Sequence, residues 1–333
     1  MHKLVIQIPC LNEAETLPAT LADLPRVVEG FDVVEWLVID DGSTDDTVAV
    51  ARAHGVDHVV SLRHNQGLAR AFMIGLDYAL KQGADVVLNT DADNQYSAKN
   101  IPDLVKPILE KRALIVIGER PIMGIEHFSP LKKVLQRLGS FVVQQLSGTR
   151  VADAPSGFRA MHRDAAIQLN VFNNYTYTLE TIIQAGRRNI PVVSVPVQVN
   201  GYLRPSRLIS SIPRYISRSI VTMIRIFIVY RPVQLFLSLA FMTFLPAAIV
   251  TGRWLYYYAT GRGGGHVQSL ILAGALFTIT ALLAVAGVLA DLLATNRMLM
   301  EDVRVRLRRM ELPAPVVSSP APASPVRRRA TVK

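Results

Sequence analysis

"ADVVLNTDADNQY", residues 84–96, joins a short apolar run to an acidic, amide-rich one. Asp85–Thr90 reads as a buried strand, an apolar run of strand length that ends in turn formers. Asp91 and Asp93 then stand at alternate positions, and Gln95 adds a neutral oxygen one step further. On an extended segment, side chains at i and i+2 share a face, so the two carboxylates repel unless a cation lies between them. Such a donor set suits a hard divalent ion, Mg2+ or Mn2+, which takes few protein ligands and fills its shell with substrate phosphates. The same octapeptide, 89–96, also reads as a solvated turn, since Asp and Asn are ordinary turn residues. The surrounding chain decides between the two.

Upstream and downstream of that run, strand-like and helix-like patterns alternate. Strands are expected at Leu4–Pro9, Glu35–Asp40, His58–Leu62, Asp85–Thr90 and Leu114–Gly118, and helices around 14–27, 45–54, 67–81 and 98–110. Alternation of this kind implies an α/β domain with a mostly parallel, Rossmann-like sheet covered on both faces. Ligands of such sheets bind at the carboxyl ends of the strands. Three polar clusters fall there: "PCLNEAE" at 9–15, "DDGSTDD" at 40–46, and the acidic run at 89–96. Together they outline one crevice. Thr44 or Asp45 suits the cap of the next helix, while Asp40 and Asp41 stand at the strand tip, where a carboxylate accepts from the N–H edge of a nucleobase. Neither a P-loop nor GxGxxG follows a strand, and "GRGGG" at 261–265 lies between two apolar runs.

Of 333 residues, half are hydrophobic, and the formal net charge is +10. That charge calls for an anionic partner. The single cysteine, Cys10, excludes an internal disulfide and sits in a strand pattern that packs it. "HKLVIQIP" lacks the length and the cleavage site of a secretory leader and reads as the first strand. Residues 232–252 and 267–290 carry no charge, and each is long enough to cross a hydrocarbon core of about 30 Å as a helix. Trp254 and Tyr256–Tyr258 follow the first run as an interfacial aromatic belt would. Residues 204–231 and 296–309 hold eleven arginines, against Arg253 and Arg262 between the runs. By the positive-inside rule, both flanks face the cytoplasm. The expectation is an integral protein of the plasma (inner) membrane with a cytoplasmic N-terminal domain and both termini cytoplasmic.

Within 204–231, Arg214, Arg218 and Arg225 fall within roughly 20° of Arg207 at about 100° per residue. Ile209, Ile212, Ile216, Ile220, Met223 and Phe227 lie opposite, and Pro213 divides the run into two helices. A basic amphipathic segment beside an apolar span has the pattern of a helix lying on the bilayer. Residues 296–312 read as a further amphipathic helix, and the Pro-, Ala- and Ser-rich 313–333 as a disordered tail. Because the positive charge clusters beside the spans, a nucleic-acid partner is not expected; association with further copies of the chain is left open.

"IPCLNEAETL", "VIDDGSTDDT", "NTDADNQY" and "DAPSGFRAM", in this order, resemble family 2 glycosyltransferases of the GT-A fold. With the C-terminal hairpin, the likeness extends to the polyprenyl-phosphate glycosyltransferase branch, which includes dolichyl-phosphate mannose synthases. It covers residues 3 to about 203 in motif. The resemblance implies that Pro9, Leu11 and Glu13 line a nucleotide site, that Asp40 contacts the base, and that Asp91 lies on the nucleotide side of the DxD. Asp93 and Gln95 would hold the metal on the diphosphate, so that Asp91, Asp93 and Gln95 form the metal set. Asp153, Ser156 and Arg159 would belong to the segment over the reaction centre, and Arg120 and Arg137 would seat an acceptor phosphate. The QxxRW signature of processive synthases is absent.

The expected chemistry follows. A UDP- or GDP-linked sugar gives up a diphosphate leaving group, which a divalent metal stabilises. A hydroxyl acceptor would also require a general base, whereas polyprenyl phosphate is already an anion and needs a cationic seat. The expectation is an inverting, metal-dependent transferase acting on polyprenyl phosphate. The rivals are transfer to the hydroxyl of another lipid-linked acceptor and a non-catalytic scaffold that keeps the fold.

Overall fold

In a computed structural model of the chain, the described residues are 2–121, 140–141, 143–145, 147–171, 177–200, 221, 228, 232–261 and 267–313. Arg137, the basic stretch 204–231 apart from two isolated positions, the loop 262–266 and the tail from 314 lie outside them.

Seven described strands form one sheet. In chain order they are β1 (Lys3–Cys10), β2 (Val33–Asp40), β3 (His58–Ser61), β4 (Val86–Asn89), β5 (Ile115–Glu119), β6 (Arg159–His162) and β7 (Val192–Pro196), arranged β3-β2-β1-β4-β6-β5-β7. All pairings are parallel except those of β6, which runs antiparallel between β4 and β5. The five strands expected from sequence are present with their ends within two residues of the expected ones. The strand order reverses at β1, flanked by β2 and β4, and a switch point of this kind opens a crevice at the carboxyl edge.

Period-2 alternation splits the strand residues between two cores. Val5, Leu37, Ile39, Val87, Ile117 and Met161 face α3 (Leu68–Lys81), α5 (Arg163–Gln168) and α6 (Thr178–Arg187). Leu4, Ile6, Ile8, Val38, Leu88 and Ala160 face α1 (Leu17–Asp23), α2 (Thr47–Ala53) and α4 (Ile101–Leu109). Helix α3 buries Ala69, Phe72, Met73, Leu76, Ala79 and Leu80, the i, i+3, i+4 stripe of a core-facing helix. Each large apolar side chain so buried contributes about 1.5–3 kcal/mol before the entropic cost of ordering it. Gly75 permits the close approach of α3: a Cβ there would lie 2.6 Å from Ile39 Cδ1 and 2.7 Å from Gln7 Oε1.

Two long apolar helices complete the described chain, α7 (Pro232–Ala259) and α8 (Val267–Glu311). They form an antiparallel hairpin: Thr243 Oγ1 and Thr280 Oγ1 are 2.8 Å apart, and the rings of Phe244 and Phe277 meet at 6.0 Å. Both helices are long and apolar enough to cross a membrane, and only 11% of the most apolar window of either is buried. A soluble core helix would be covered; these are not. The two stretches read separately at 267–290 and 296–312 are one uninterrupted helix. No Gly or Pro falls between Gly287 and Pro313, and the intervening Leu, Met, Arg and Glu are good helix formers. At 1.5 Å per residue, its 45 residues extend for about 67 Å, more than twice the thickness of a hydrocarbon core.

Candidate active site

The loops after β1 and β2 are laced into a single wall. Asn12, in the left-handed region at φ 54, donates its backbone N–H to Ser43 Oγ (2.9 Å), and its Oδ1 accepts from Thr44 N (2.8 Å). Glu13 N donates to Thr47 Oγ1 (2.8 Å), and Ala14 N to Asp45 Oδ2 (3.1 Å). Pro9 lies buried in β1, Leu11 is exposed on the rim, and Glu13 is largely buried, with Oε2 accepting from Thr16 Oγ1 at 2.6 Å. Asp40, at the tip of β2, accepts from Ser43 N at 2.9 Å. Its neighbour Asp41 takes Gln66 N (2.7 Å) and Gly67 N (2.9 Å), one on each oxygen, and so shapes the loop before α3. Cys10 is buried, and burial together with Glu13, Asp40 and Asp45 pushes its thiol up, which keeps it unreactive.

The acidic run does not continue β4 as an extended row. The strand ends at Asn89, the chain turns at Ala92–Asp93, and Asn94 adopts φ 53. The i, i+2 alignment expected from sequence is therefore replaced by a turn, in which Gln95 N donates to Asp93 Oδ1 at 3.2 Å. Backbone bonds brace it from outside: Asn200 N donates to Gln95 O (2.8 Å), and Tyr96 bridges Val199. The turn still places Asp91 beside Asp93. Burial, and then the charge of Asp93, push the Asp91 carboxyl up to about 7, against the pull of Arg120 and Arg159.

Beneath Asp91 runs a buried polar network that the sequence reading missed. Gln7 Nε2 donates to Asn89 Oδ1 (2.9 Å), and Asn89 Nδ2 donates to Gly157 O and to Tyr177 OH, both at 2.9 Å. Gly157 N donates to Tyr96 OH at 3.1 Å. Gly157 itself admits the carboxylate, since a Cβ there would stand 3.0 and 3.1 Å from the oxygens of Asp91 and 3.0 Å from Tyr177 OH. Tyr177 stacks on Phe72 with centroids 3.8 Å apart. Gln7 and Asn89, polar residues set in buried, mostly apolar strands, were the available signal: buried amides demand partners.

Asp153 is fully buried and forms a two-point pair with Arg120, Nε to Oδ2 at 2.7 Å and a terminal nitrogen to Oδ1 at 3.0 Å. Arg120 N also donates to Oδ2, at 3.3 Å. Although burial disfavours its charge, Tyr96, Asp153 and Asp91 around Arg120 raise its pKa and keep it cationic. Ser156 and Arg159 are buried beneath the cleft, not open to it. Arg159 donates to Thr178 O (3.3 Å), to Thr181 Oγ1 (2.6 Å) and to Ser156 O, tying the motif to the start of α6. The structure thus brings together Pro9, Leu11, Glu13, Asp40, Asp91, Asp93, Gln95, Arg120 and Asp153 around one edge, with Ser156 and Arg159 as its floor. Arg137 falls outside the described residues.

Among the described residues, no group of three His, Cys, Asp or Glu gathers where protein alone could hold a metal. Two neighbouring carboxylates, one with its ionisation suppressed by burial and then by the other's charge, nevertheless fit a cation that shares its shell with phosphate oxygens. The donor set is compatible with Mg2+ or Mn2+.

Comparison with known proteins identifies the family. The family described as Glycosyl transferase family 2 matches residues 5–169. The undecaprenyl-phosphate mannosyltransferase of Micrococcus luteus is 30% identical over 200 residues, covering 57% of this chain and 80% of that protein. A UDP-N-acetylglucosamine–dolichyl-phosphate N-acetylglucosaminyltransferase of Methanococcus voltae is 27% identical over 213 residues, covering 57% and 83%. Among solved structures, glucosyl-3-phosphoglycerate synthase of Mycobacterium tuberculosis, determined with Mn2+, UDP and phosphoglyceric acid, superposes with a TM-score of 0.52 at 22% identity. It covers 67% of this chain and 78% of that one, and establishes the fold. With the acidic turn at the switch point and a relative matched over four-fifths of its length, the chain belongs to the family 2 glycosyltransferases.

Proposed function

We propose that the protein moves one sugar from a nucleotide diphosphate sugar to polyprenyl phosphate, at the cytoplasmic face of a membrane that α7 and α8 span. In this reading residues 1–203 are the catalytic domain, 204–231 lie on the bilayer, and 232–252 and 267–290 cross it. The observation that carries the acceptor is the Asp153–Arg120 pair. A hydroxyl acceptor needs a general base near neutral pKa, and the motif carboxylate available for that duty has both oxygens engaged by one guanidinium. An ionised phosphate needs no base, only a cation near its path, and Arg120 keeps its charge there.

The steps follow from the residues. The laced loops at 9–15 and 40–46 receive the nucleoside, with Asp40 at the base. Asp91 and Asp93, with Gln95, would hold the divalent metal, which when bound neutralises charge developing on the diphosphate. An acceptor phosphate oxygen forms the bond to the anomeric carbon as the bond to the diphosphate oxygen breaks, with inversion, and nucleoside diphosphate leaves. The network of Gln7, Asn89, Gly157 and Tyr177 packs beneath Asp91 and holds the floor of the cleft, so the donor meets a preformed seat. The relatives support a polyprenyl-phosphate acceptor and differ in the sugar they are named for.

A second reading rests on Asp91. A carboxyl near 7 has the pKa of a general base, which would suit a lipid-linked hydroxyl. The deciding experiment uses full-length protein in proteoliposomes with labelled UDP- and GDP-sugars. Transfer to a short polyprenyl phosphate and none to the polyprenol supports the first reading; the reverse overturns it.

A further inference from the structure

We propose that Glu180 and Arg297 are a positioning pair through which the helix emerging from the membrane sets the active-site end of α6. The inference rests on the membrane reading above for its consequence, but not for its geometry. Beyond residue 290, α8 leaves its apolar stretch and docks on the domain. Arg297 lies 3.2 Å from Glu180 Oε1, in the first turn of α6, and 2.9 Å from Glu301 Oε1, one turn along α8. Arg188, the residue after α6, reaches Glu301 at 3.4 Å and Asp302 at 3.3 Å. Charges alternate Glu180, Arg297, Glu301, Arg188, and their partners ascend together along the two helices. The two carboxylates keep only 10% and 11% of their side-chain surface exposed, so this is a partly desolvated chain of pairs and not a set of rim contacts.

The rest of the dock is as specific. Arg308 donates to Leu169 O (3.0 Å) and Ile167 O (3.4 Å), closing carbonyls left open at the end of α5. Arg163, at the start of α5, donates to Pro313 O at 2.6 Å, and Arg304 bonds Asn170 Oδ1. Leu312 joins the core that α3 and α5 cover.

The same helix α6 reaches the reaction edge at its other contacts. Its N-cap is Tyr177, whose hydroxyl meets Asn89 Nδ2 and lies beside Gly157 against Asp91. Thr178 O and Thr181 Oγ1, flanking Glu180 in sequence, are two of the acceptors of Arg159. Glu180 therefore stands between the two residues that pin α6 to the cleft, while its side chain is held by the membrane helix. A shift of α8 carries α6, and with it Tyr177. The pair fixes the cleft relative to the bilayer in which the acceptor is embedded.

The test uses the full chain in lipid nanodiscs, with Arg297→Gln, Glu180→Gln, the double variant and Arg297→Lys. Amide hydrogen exchange reads the geometry without any substrate. Exchange over 178–187 is expected to quicken about tenfold in both single variants and no further in the double, while β1, β2 and β4 stay protected and Arg297→Lys restores protection. With polyprenyl phosphate in the disc, kcat is expected to fall about tenfold, while the affinity for UDP or GDP with Mn2+ holds within twofold. Unchanged exchange in α6, additive effects in the double variant, or loss of nucleotide affinity in place of kcat overturns the pair. If the parent protein transfers nothing to polyprenyl phosphate, the acceptor reading fails, and the exchange measurements still decide the pair.

Discussion

Two carboxylates share the cleft and have been given opposite electrostatic surroundings. Asp153 is buried against Arg120 with both oxygens hydrogen-bonded, so its charge is compensated within the fold. Asp91 sits beside Asp93 with Gly157 pressed to its oxygens, and its carboxyl rises to about 7. The residue type is the same, and the environment divides the labour. One acid is paired within the fold; the other is held towards its neutral form by burial and by Asp93. Such a shifted carboxyl marks a functional site more often than a structural one.

The strongest way to break the contrast is to remove the charge that presses on Asp91. Asp93→Asn is expected to abolish sugar transfer, since a metal clamp supplies several kcal/mol at the transition state, on the order of a hundredfold or more in rate. Chelation of the parent protein should do the same. Initial rates with and without EDTA and added Mn2+ check both, and full activity in excess chelator removes the metal from the account.

Next comes the compensated acid. Asp153→Asn leaves Arg120 without its counter-charge in a buried site, where breaking one side of an ion pair costs about 3–5 kcal/mol. The expected result is a lower unfolding midpoint across the pH range, read by thermal melts in detergent. If Asp153→Asn melts like the parent, the pair is not what holds this loop.

The pH dependence sharpens the comparison further. In the absence of metal, the Asp91 carboxyl titrates near 7 when folded and near 3.9 when unfolded. The native state then binds the extra proton between those values, so stability falls as pH rises through that window and is flat above it. The slope contributed is at most about 1.4 kcal/mol per pH unit. Asp91→Asn should lack this component and be more stable than the parent at pH 8 without metal, yet inactive. Metal-free melts of both proteins at pH 5 and pH 8 measure it, and parallel curves refute the raised pKa.

The smallest effect is expected at Gly157. A methyl group there would press on Asp91 and Tyr177 at about 3 Å, so the acid must shift by a few tenths of an ångström. Gly157→Ala should lower kcat by roughly tenfold, a fraction of what larger misplacement costs, with the unfolding midpoint nearly unchanged. Equal losses of rate and stability would point to collapse of the loop and not to displacement of Asp91.

Much of this architecture was legible in the sequence because its signals are local. The apolar runs of β1 and β2 and the stripe of α3 report burial directly, and the uncharged stretches at 232–252 and 267–290 announce themselves by length. The strands β6 and β7 and the helices α5 and α6 were not identified. "RAMH" is four residues long and passes straight into "RDAAIQ", so neither period has room to show. Its antiparallel pairing with β4 joins residues about seventy positions apart, with no hairpin turn to signal it.

By itself the sequence determined the alternating α/β plan, the three polar clusters at strand ends and the apolar helices, since propensity, periodicity and length act on neighbours in the chain. The order of motifs also determined the family. Only the tertiary structure decided what each acid does, because the field at a carboxylate comes from groups distant in sequence. Arg120 neutralises Asp153 across thirty-three positions, and Gly157 admits Asp91 across sixty-six. It likewise decided that residues 296–312, legible as an amphipathic helix, continue the apolar helix and dock on α6. Amphipathicity states that one face seeks a partner; which partner is a matter of three-dimensional proximity, and here Glu180 and Arg188 lie within reach.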